Sequence, residues 1–178
     1  MKNIIPLTAW ILGLTSLFLS PAAHADFSVE ELKAAGKTLN FIKTIKPGAV
    51  KVAIIYDAQT ADSQKSAETL ASHLKDGLKI KKFTLSGYPV AADDLSNASD
   101  ADIFIIMAQS VTSYARISAV AQPNQILTIT NDFACVDQGF CIMGIETKPK
   151  VSIVVSKKAT DASNVKFSSA LRLMVKER

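Results

Sequence analysis

The chain has 178 residues, carries a net charge of +4 at pH 7 and has a sequence pI of about 9.0. Its lysines are scattered, and no basic run is interleaved with aromatic residues, which argues against a nucleic-acid-binding surface. Beyond residue 25 no apolar run approaches the length of a membrane span, so we expect no stable membrane insertion.

The first 25 residues have the pattern of a secretory signal peptide. Lys2 supplies the positive n-region, residues 7–19 form an apolar run, and an A-x-A cleavage site ends at Ala25. The run is shorter than the roughly 20 residues that a membrane helix needs, so we expect cleavage after Ala25 and export to the periplasm. Residues 26–178 then remain, which is enough for a single domain with its own core.

The first predicted elements are a helix and a buried strand. Ser28 followed by Glu31 has the spacing of a capping box, in which each side chain binds a free amide of the first turn. The helix that it opens has apolar residues at amphipathic spacing and ends before Pro47. Residues 50–56 are almost uninterruptedly apolar, which predicts a strand buried on both faces.

A second helix and an edge strand follow. Thr60 or Asp62 can cap the helix, which has one apolar stripe and ends at Gly77. Residues 80–85 alternate imperfectly and contain two lysines, which suits an edge strand protected from aggregation. Residues 87–99 are polar, and we expect a loop with a short helical turn there.

The middle of the chain predicts two further buried strands around a helix. The strands are residues 102–107 and 125–131, and the helix between them, residues 110–121, is capped by Ser110. The resulting order, α-β-α-β-β-α-β, predicts a mostly parallel, Rossmann-like sheet of the α/β class with helices on both faces.

The last third of the chain predicts an antiparallel hairpin and a closing helix. Residues 140–146 and 151–156 are rich in β-formers and are joined by a short polar turn. The closing helix begins near Ser168. Three of its apolar residues are expected to be buried, namely Leu171, Met174 and Val175.

The mature chain has two cysteines, Cys135 and Cys141, and Gly139 lies in the short segment between them. Thiols tend to oxidise after export, so this pair is expected to form one disulfide. The disulfide would act as a structural staple or as a redox-sensitive switch. A metal site is disfavoured, because no histidine is near in the sequence and His73 belongs to the second helix.

The usual signatures of catalysis and nucleotide binding are missing from the sequence. His73 is the only histidine after residue 25, and no G-x-S-x-G motif accompanies it. The first strand-to-helix turn contains no glycine, and its residues Asp57 and Asp62 would repel a phosphate. We therefore expect a protein that is not an enzyme and that uses no cofactor and no metal.

Polar residues follow the strands at the carboxyl edge of the predicted sheet, which is the general ligand site of open parallel sheets. They could bind a small ligand, or they could serve as helix caps and turn formers. The six candidates are Tyr56, Asp57, Gln109, Ser110, Asn131 and Asp132.

Four segments together resemble the YfiR-like family of periplasmic proteins, across nearly the whole mature chain. They are AAGKTLNFIKTIKP, DADIFIIMAQS, ILTITNDFACVDQGFCIMGI and FSSALRLMVKE. The pair Cys135 and Cys141 is similar to a close disulfide known in that family. The chain differs from the usual family pattern at Gly139, where a double glycine is common.

The resemblance implies a periplasmic regulator that binds the sensory domain of an inner-membrane diguanylate cyclase and holds the cyclase inactive. Cyclic-di-GMP output and biofilm formation would respond through protein contacts, without chemistry by this chain. No partner-binding residue transfers from the family by motif. We expect part of the contact surface on the hairpin that the cysteines staple, with Gly139 and Phe140 at its start. The sequence does not decide whether the chain also forms a homodimer.

A second class of function also fits the sequence. Residues 52–74 are similar to the first strand and helix of one lobe of a periplasmic solute-binding protein. Those proteins close two lobes around a ligand, whereas residues 26–178 supply one lobe. This alternative would place a small ligand on the candidate residues at the carboxyl edge.

Overall fold

The structure is a computed structural model that describes residues 26–178. The predicted signal peptide, residues 1–25, lies outside the described residues. The strands are β1 Gly48–Tyr56, β2 Leu78–Ile80, β3 Phe83–Ala91, β4 Ile103–Ile106, β5 Leu127–Thr130, β6 Met143–Glu146, β7 Ser152–Val155 and β8 Lys176–Glu177. The α-helices are α1 Val29–Thr38, α2 Ala61–Ser72, α3 Tyr114–Ala121, α4 Phe133–Asp137, α5 Lys157–Ser163 and α6 Ser169–Met174. Shorter 3-10 helices occur at Leu39–Phe41, Leu95–Ala98 and Ala108–Ser113.

The described strands form one eight-stranded sheet in the order β2-β3-β1-β4-β5-β6-β7-β8. Strands β3, β1, β4, β5 and β6 run parallel to their neighbours, while β2 and β7 pair antiparallel with β3 and β6. Strand β8 joins β7 in parallel at the far edge. The predicted Rossmann-like α/β class, with its C-terminal antiparallel hairpin, is therefore confirmed.

Helix α1 begins with the predicted capping box. The Ser28 amide donates to Glu31 Oε2 at 2.7 Å, and the Glu31 amide donates to Ser28 Oγ at 3.2 Å. These two bonds satisfy amides that the first turn of a helix leaves without an intrahelical partner. One apolar face of the helix and its continuation is buried, as its spacing predicts, through Leu32, Ala35, Leu39 and Ile42.

Both faces of the sheet carry buried apolar clusters. On one face Val52 and Ile54 of β1 pack in a cluster with α1, α2 and the C-terminal segment, which includes Leu171. On the other face Ala53 and Ile55 pack in a cluster with the Leu95–Ala98 turn, α3 and α4. The alternation of β1 side chains between the two clusters explains why its sequence is almost uninterruptedly apolar.

The segment after α2 differs from the prediction. Residues 78–91 form a β-hairpin, in which Lys81 and Lys82 make the turn and β3 continues to Ala91. The predicted edge strand over 80–85 and the loop over residues 87–91 are therefore wrong, whereas the predicted short helical turn is present at Leu95–Ala98. Strand β3 is second from the edge and pairs with β1 over its whole length, so backbone pairing outweighs the low strand preference of Gly87 and Pro89.

The predicted helix over residues 110–121 is two elements rather than one. A 3-10 segment ends at Ser113, and its backbone departs from helical geometry at Ser110. Helix α3 then starts at Tyr114, preceded by Ser113, whose side chain makes no capping hydrogen bond. Ser110 is thus inside the 3-10 segment, and its predicted role as the cap of one continuous helix is wrong.

The C-terminal segment also differs from the prediction. Helix α5, which the sequence analysis did not predict, is capped by Ser156, whose Oγ accepts from the Ala159 amide at 3.4 Å. Helix α6 buries Leu171, but Met174 is 62% exposed, so its predicted burial is wrong. The helix is too short to turn Met174 inward, because the chain passes directly into β8.

The segment after α1 is joined to the segment before α6. Ile42 and Phe167 form an antiparallel bridge, and the Lys43 amide donates to the Lys166 carbonyl at 2.7 Å. The helix–turn that follows α1 is therefore attached to the segment before α6. Within residues 26–178, no helix is both long enough and apolar enough to cross a membrane.

Candidate functional site

The parallel sheet brings three pairs of candidate residues together at the carboxyl ends of its strands, here called the carboxyl edge. Ile55 of β1 lies opposite Ile106 of β4, which in turn lies opposite Thr130 of β5. Because the three strands are adjacent and parallel, the residues that follow them emerge at the same edge. These residues are Tyr56 and Asp57, Gln109 and Ser110, and Asn131 and Asp132.

Asp57 organises the turn between β1 and α2. Its amide donates to Ser63 Oγ at 3.0 Å, and its Oδ1 accepts from the Gln59 amide at 2.9 Å. Tyr56 is half-buried and packs against the apolar cluster on the α1 and α2 face. Asp57 therefore acts as a turn-forming residue in the structure.

Asp132 is a helix cap and a hydrogen-bond acceptor at once. Its Oδ1 accepts from the Ala134 amide at 2.9 Å, which caps the short helix α4. Its Oδ2 accepts from the Tyr114 hydroxyl at 2.7 Å. Its own amide donates to Thr130 Oγ1 at 3.0 Å. Through its amide and its carboxylate, Asp132 thus connects β5, α4 and α3 on one face of the sheet.

Tyr114 is a member of this edge that the sequence analysis missed. The side chain is 2% exposed, and its hydroxyl also lies 3.4 Å from the Ala108 carbonyl. Burial, reinforced by the hydrogen bond to Asp132 and by its negative charge, raises the pKa of Tyr114 well above the ordinary value. The hydroxyl is therefore a neutral donor at physiological pH. The only available signal was an aromatic residue following a strand-to-helix connection.

Ser110 is the polar group at this edge for which the structure provides no partner. The side chain is fully buried, and its Oγ makes no hydrogen bond within the described residues. A buried hydroxyl without a partner costs roughly 1–3 kcal/mol. Asn131, by contrast, is half-buried and does take part in interactions.

The cysteines form the predicted disulfide. Cys135 of α4 and Cys141, just before β6, have Cα atoms 5.3 Å apart, and both side chains are fully buried. The Cys141 amide also donates to the Cys135 carbonyl at 3.1 Å, so the loop is closed by backbone as well as by sulfur. Full burial among apolar residues favours the staple interpretation, because a reductant cannot reach the sulfurs in the folded chain.

Gly139 and Phe140 lie apart from the other six candidates. They lie in the segment that leads into β6, whereas the other six follow the carboxyl ends of β1, β4 and β5. Gly139 has a φ of +78°, a left-handed conformation that favours glycine, and an added Cβ would lie 2.6 Å from Lys158 Cδ. The candidate residues therefore form two separate groups.

His73 and the acidic side chains are dispersed over residues 26–178. His73 directly follows α2 and is exposed. Among the described residues, no group of three or more His, Cys, Asp or Glu side chains could hold a metal ion. Asp100 instead pairs with Lys51 Nζ at 2.5 Å on the surface.

Solved structures with a similar fold include two proteins whose descriptions mention a ligand or substrate. An ABC domain in complex with L-Trp from Streptococcus pneumoniae has a TM-score of 0.57 and 9% identity, covering 83% of this chain and 60% of the other. A substrate-binding protein with adhesive properties from Clostridium difficile has a TM-score of 0.58 and 11% identity, with coverages of 85% and 59%.

A conserved domain protein from Vibrio cholerae is similar to the same extent, with a TM-score of 0.57 and 11% identity, over 83% of this chain and 58% of the other. The chain thus spans about six tenths of the length of these structures. At such low identities the likeness concerns the fold alone. No curated protein matches the chain.

A family model described as YfiR/HmsC-like (DUF4154) matches residues 49–175. The match extends from β1 through the disulfide and the C-terminal hairpin to the end of α6. It includes the strands and the cysteine loop on which the resemblance seen in the sequence depends. The chain therefore belongs to the YfiR/HmsC-like family.

Proposed function

We propose that this protein is a periplasmic regulator that represses a membrane diguanylate cyclase by binding the cyclase's periplasmic sensory domain. The observation that carries the proposal is family membership over residues 49–175. Cyclic-di-GMP levels and biofilm formation would change through this contact. The proposal includes cleavage of the signal peptide after Ala25, action of residues 26–178 as a single domain, and no catalytic step.

The use of polar residues inside the fold supports a role in binding rather than in catalysis. Asp57 and Asp132 are engaged in turn and cap hydrogen bonds, and Tyr114 is held neutral by burial. Such residues position the backbone at the carboxyl edge instead of presenting reactive groups. A regulator of this kind needs a rigid surface, and these bonds help to provide one.

Two surfaces are suited to a protein partner. The hairpin of β6 and β7 is fixed to α4 by the Cys135–Cys141 disulfide, and Phe140 lies half-buried at its start. On α6, Leu173 is 89% exposed and Met174 is 62% exposed. Exposed apolar side chains mark an interaction site when they form a continuous patch, and these two can contribute to one.

Repression by binding requires a difference in affinity between two states of the cyclase. A protein that binds the active and inactive states equally well shifts nothing. Turning a partner from almost fully active to almost fully inactive takes a preference of about 10⁴-fold for the inactive state. A surface held rigid by a disulfide favours such discrimination, because it cannot adapt to both shapes.

The experiment combines a deletion with a binding measurement. Deleting the gene should raise cyclic-di-GMP and surface attachment, and the exported protein should bind the purified periplasmic domain of the cyclase in calorimetry. A Cys135→Ala/Cys141→Ala variant should repress less than the wild-type chain. Unchanged cyclic-di-GMP after deletion, together with no binding, would contradict the proposal.

The alternative function is binding of a small ligand at the carboxyl edge, as in one lobe of a solute-binding protein. The buried, unsatisfied hydroxyl of Ser110 and the fold shared with a substrate-binding protein favour it. We would test it by thermal shift with L-tryptophan and other amino acids. A rise in the melting temperature that is lost in Ser110→Ala supports this function, and no shift with any amino acid counts against it.

A further inference from the structure

A groove of about 360 Å³ lies between α1 and the edge strand β2, away from both groups of candidate residues. Its size is in the range of sites that accept a ligand or a protruding side chain. It is open along one side, since β2 is the outermost strand of the sheet. The six residues that line it are Lys33, Lys37, Leu78, Lys79, Ile80 and Lys81.

The rim of the groove carries four lysines and no acidic residue. Lys33 and Lys37 lie one turn apart on α1, and the other two lysines come from β2 and its turn; all four are exposed. No aspartate or glutamate lines the groove, and none of the four lysines joins the ion pairs found among residues 26–178. A concave site lined by one sign of charge concentrates the local potential and attracts the opposite charge.

The floor of the groove is apolar and held in place. Leu78 and Ile80 are half-buried and pack against the main apolar cluster. Gly36 of α1 faces Ile80 so closely that an added Cβ would collide with the Ile80 side chain. The helix and the strand are therefore in tight contact below the lysines, and the floor is preformed.

We propose that this groove, hereafter the basic groove, is the docking site for an acidic amphipathic segment of a protein partner. Carboxylates of the segment would pair with the rim lysines, and an apolar side chain would lie on Leu78 and Ile80. The inference rests on the proposed function in that the chain acts by binding another protein. It adds which surface is used and what chemistry the partner presents.

The shape and charge of the groove favour this occupant over two others. A bilayer surface is flat on this scale, so it would touch the exposed lysine tips but leave the apolar floor uncovered. A second copy packed with the groove on the two-fold axis would place one basic groove against another, and like charges would repel. A protruding acidic segment can pair its carboxylates with the rim lysines and place an apolar side chain on the floor.

Peptide binding to the exported protein tests the inference. The probe is a fluorescent peptide of alternating glutamate and leucine, and its control replaces each glutamate with glutamine. Anisotropy should show binding of the acidic peptide alone, and chemical shifts should move at residues 33–37 and 78–81. Because the attraction is between exposed charges, affinity should fall steeply as salt rises.

A charge-neutral variant provides the matched comparison. Lys33→Gln/Lys37→Gln keeps good helix formers and side chains of similar length. It should lower the affinity for the acidic peptide about tenfold, the loss expected for two rim ion pairs. Lys157→Gln/Lys166→Gln removes the same charge from exposed positions on α5 and in the segment after it, outside both proposed partner surfaces, and should change little. Unchanged melting temperatures would show that both variants fold.

The outcomes separate this inference from the proposed function. Equal affinity for the glutamine peptide, equal loss in both lysine variants, or binding only to phosphatidylglycerol vesicles would overturn the basic groove as a docking site. So would a cyclase domain that binds the Lys33→Gln/Lys37→Gln variant as tightly as wild type. A cyclase domain that fails to bind wild type, while the acidic peptide still binds, overturns only the proposed function.

Discussion

The hydroxyl of Tyr114 donates a hydrogen bond of 2.7 Å to the carboxylate of Asp132. Tyr114 is the first residue of α3, and Asp132 is the cap of α4, so the bond fastens two helices together on one face of the sheet. Both residues follow strand ends at the carboxyl edge. A buried bond to a charged acceptor at such a junction contributes more to stability than an exposed one.

The first prediction concerns Tyr114→Phe. The variant keeps the buried ring but removes the donor, so Asp132 Oδ2 loses its partner. We expect the free energy of unfolding to fall by about 1.5–3 kcal/mol, the usual contribution of a hydrogen bond to a charged group. Urea denaturation of the exported protein measures the change.

Tyr88→Phe serves as the control for that measurement. The Tyr88 hydroxyl is half-exposed and makes two long hydrogen bonds, of 3.3 Å to the Asn97 carbonyl and 3.4 Å to Asp100. Its removal should cost less than about 1 kcal/mol, because water can replace it. If the free energy of unfolding falls equally in the two variants, the hydrogen bond between α3 and α4 contributes no more than an exposed one.

The second prediction is a pH dependence that Tyr114 alone produces. Burial holds the pKa of Tyr114 in the folded chain above its unfolded value of about 10, so its contribution is complete below pH 10 and is lost as the pH rises. The unfolded chain can ionise there while the folded chain cannot, which lowers stability by up to about 1.4 kcal/mol per pH unit. The gap between wild type and Tyr114→Phe should therefore narrow from about pH 10 to pH 11. A constant gap across that range would show that the residue titrates normally.

The third prediction concerns the capping box. Ser28→Ala removes the acceptor for the Glu31 amide and should lower the free energy of unfolding by about 1 kcal/mol. Thr60→Ala is the matched control, since Thr60 precedes α2 but makes no side-chain capping bond. Thermal unfolding monitored by circular dichroism compares the two. Equal effects would mean that the capping box adds nothing beyond residue propensity.

The fourth prediction concerns the disulfide. Replacing both cysteines with alanine should lower the free energy of unfolding by about 2.4 kcal/mol from the entropy of the closed loop, plus lost packing of two buried sulfurs. Alkylation and mass spectrometry of the natively exported protein should detect no free thiol until it is unfolded and reduced. Rapid labelling of Cys135 and Cys141 in the folded protein would contradict the staple interpretation and favour a switch.

The elements that are predicted correctly from the sequence are those in which local chemistry and tertiary packing agree. The capping box at Ser28, the buried strand β1 and the disulfide are each specified by residues a few positions apart. The prediction was wrong at β3, where Gly87 and Pro89 interrupt the strand pattern and the strand continues because β1 pairs with it along its whole length. It failed again at Met174, because the short β8 ends α6 before another turn can form.

The candidate site shows the same division. Strand order in a parallel sheet was enough to bring Asp57, Ser110 and Asp132 to one edge. The partnership of Tyr114 with Asp132 joins residues that are 18 positions apart, and no local pattern signals it. The basic groove was equally hidden, since Lys33 and Lys79 belong to different elements that meet only when α1 packs on β2.

The fifth prediction tests whether the exposed end of α6 contacts the partner. Leu173 is 89% exposed, so Leu173→Asp should change the free energy of unfolding by no more than about 0.5 kcal/mol. If the side chain anchors the contact, placing a charge there should weaken binding of the cyclase's periplasmic domain by at least about tenfold, because the carboxylate must lose its water. Leu171→Ala, buried two positions earlier, should instead destabilise the fold by about 2–5 kcal/mol. Calorimetric binding combined with urea denaturation distinguishes the two effects, and unchanged binding by Leu173→Asp would exclude this face from the interface.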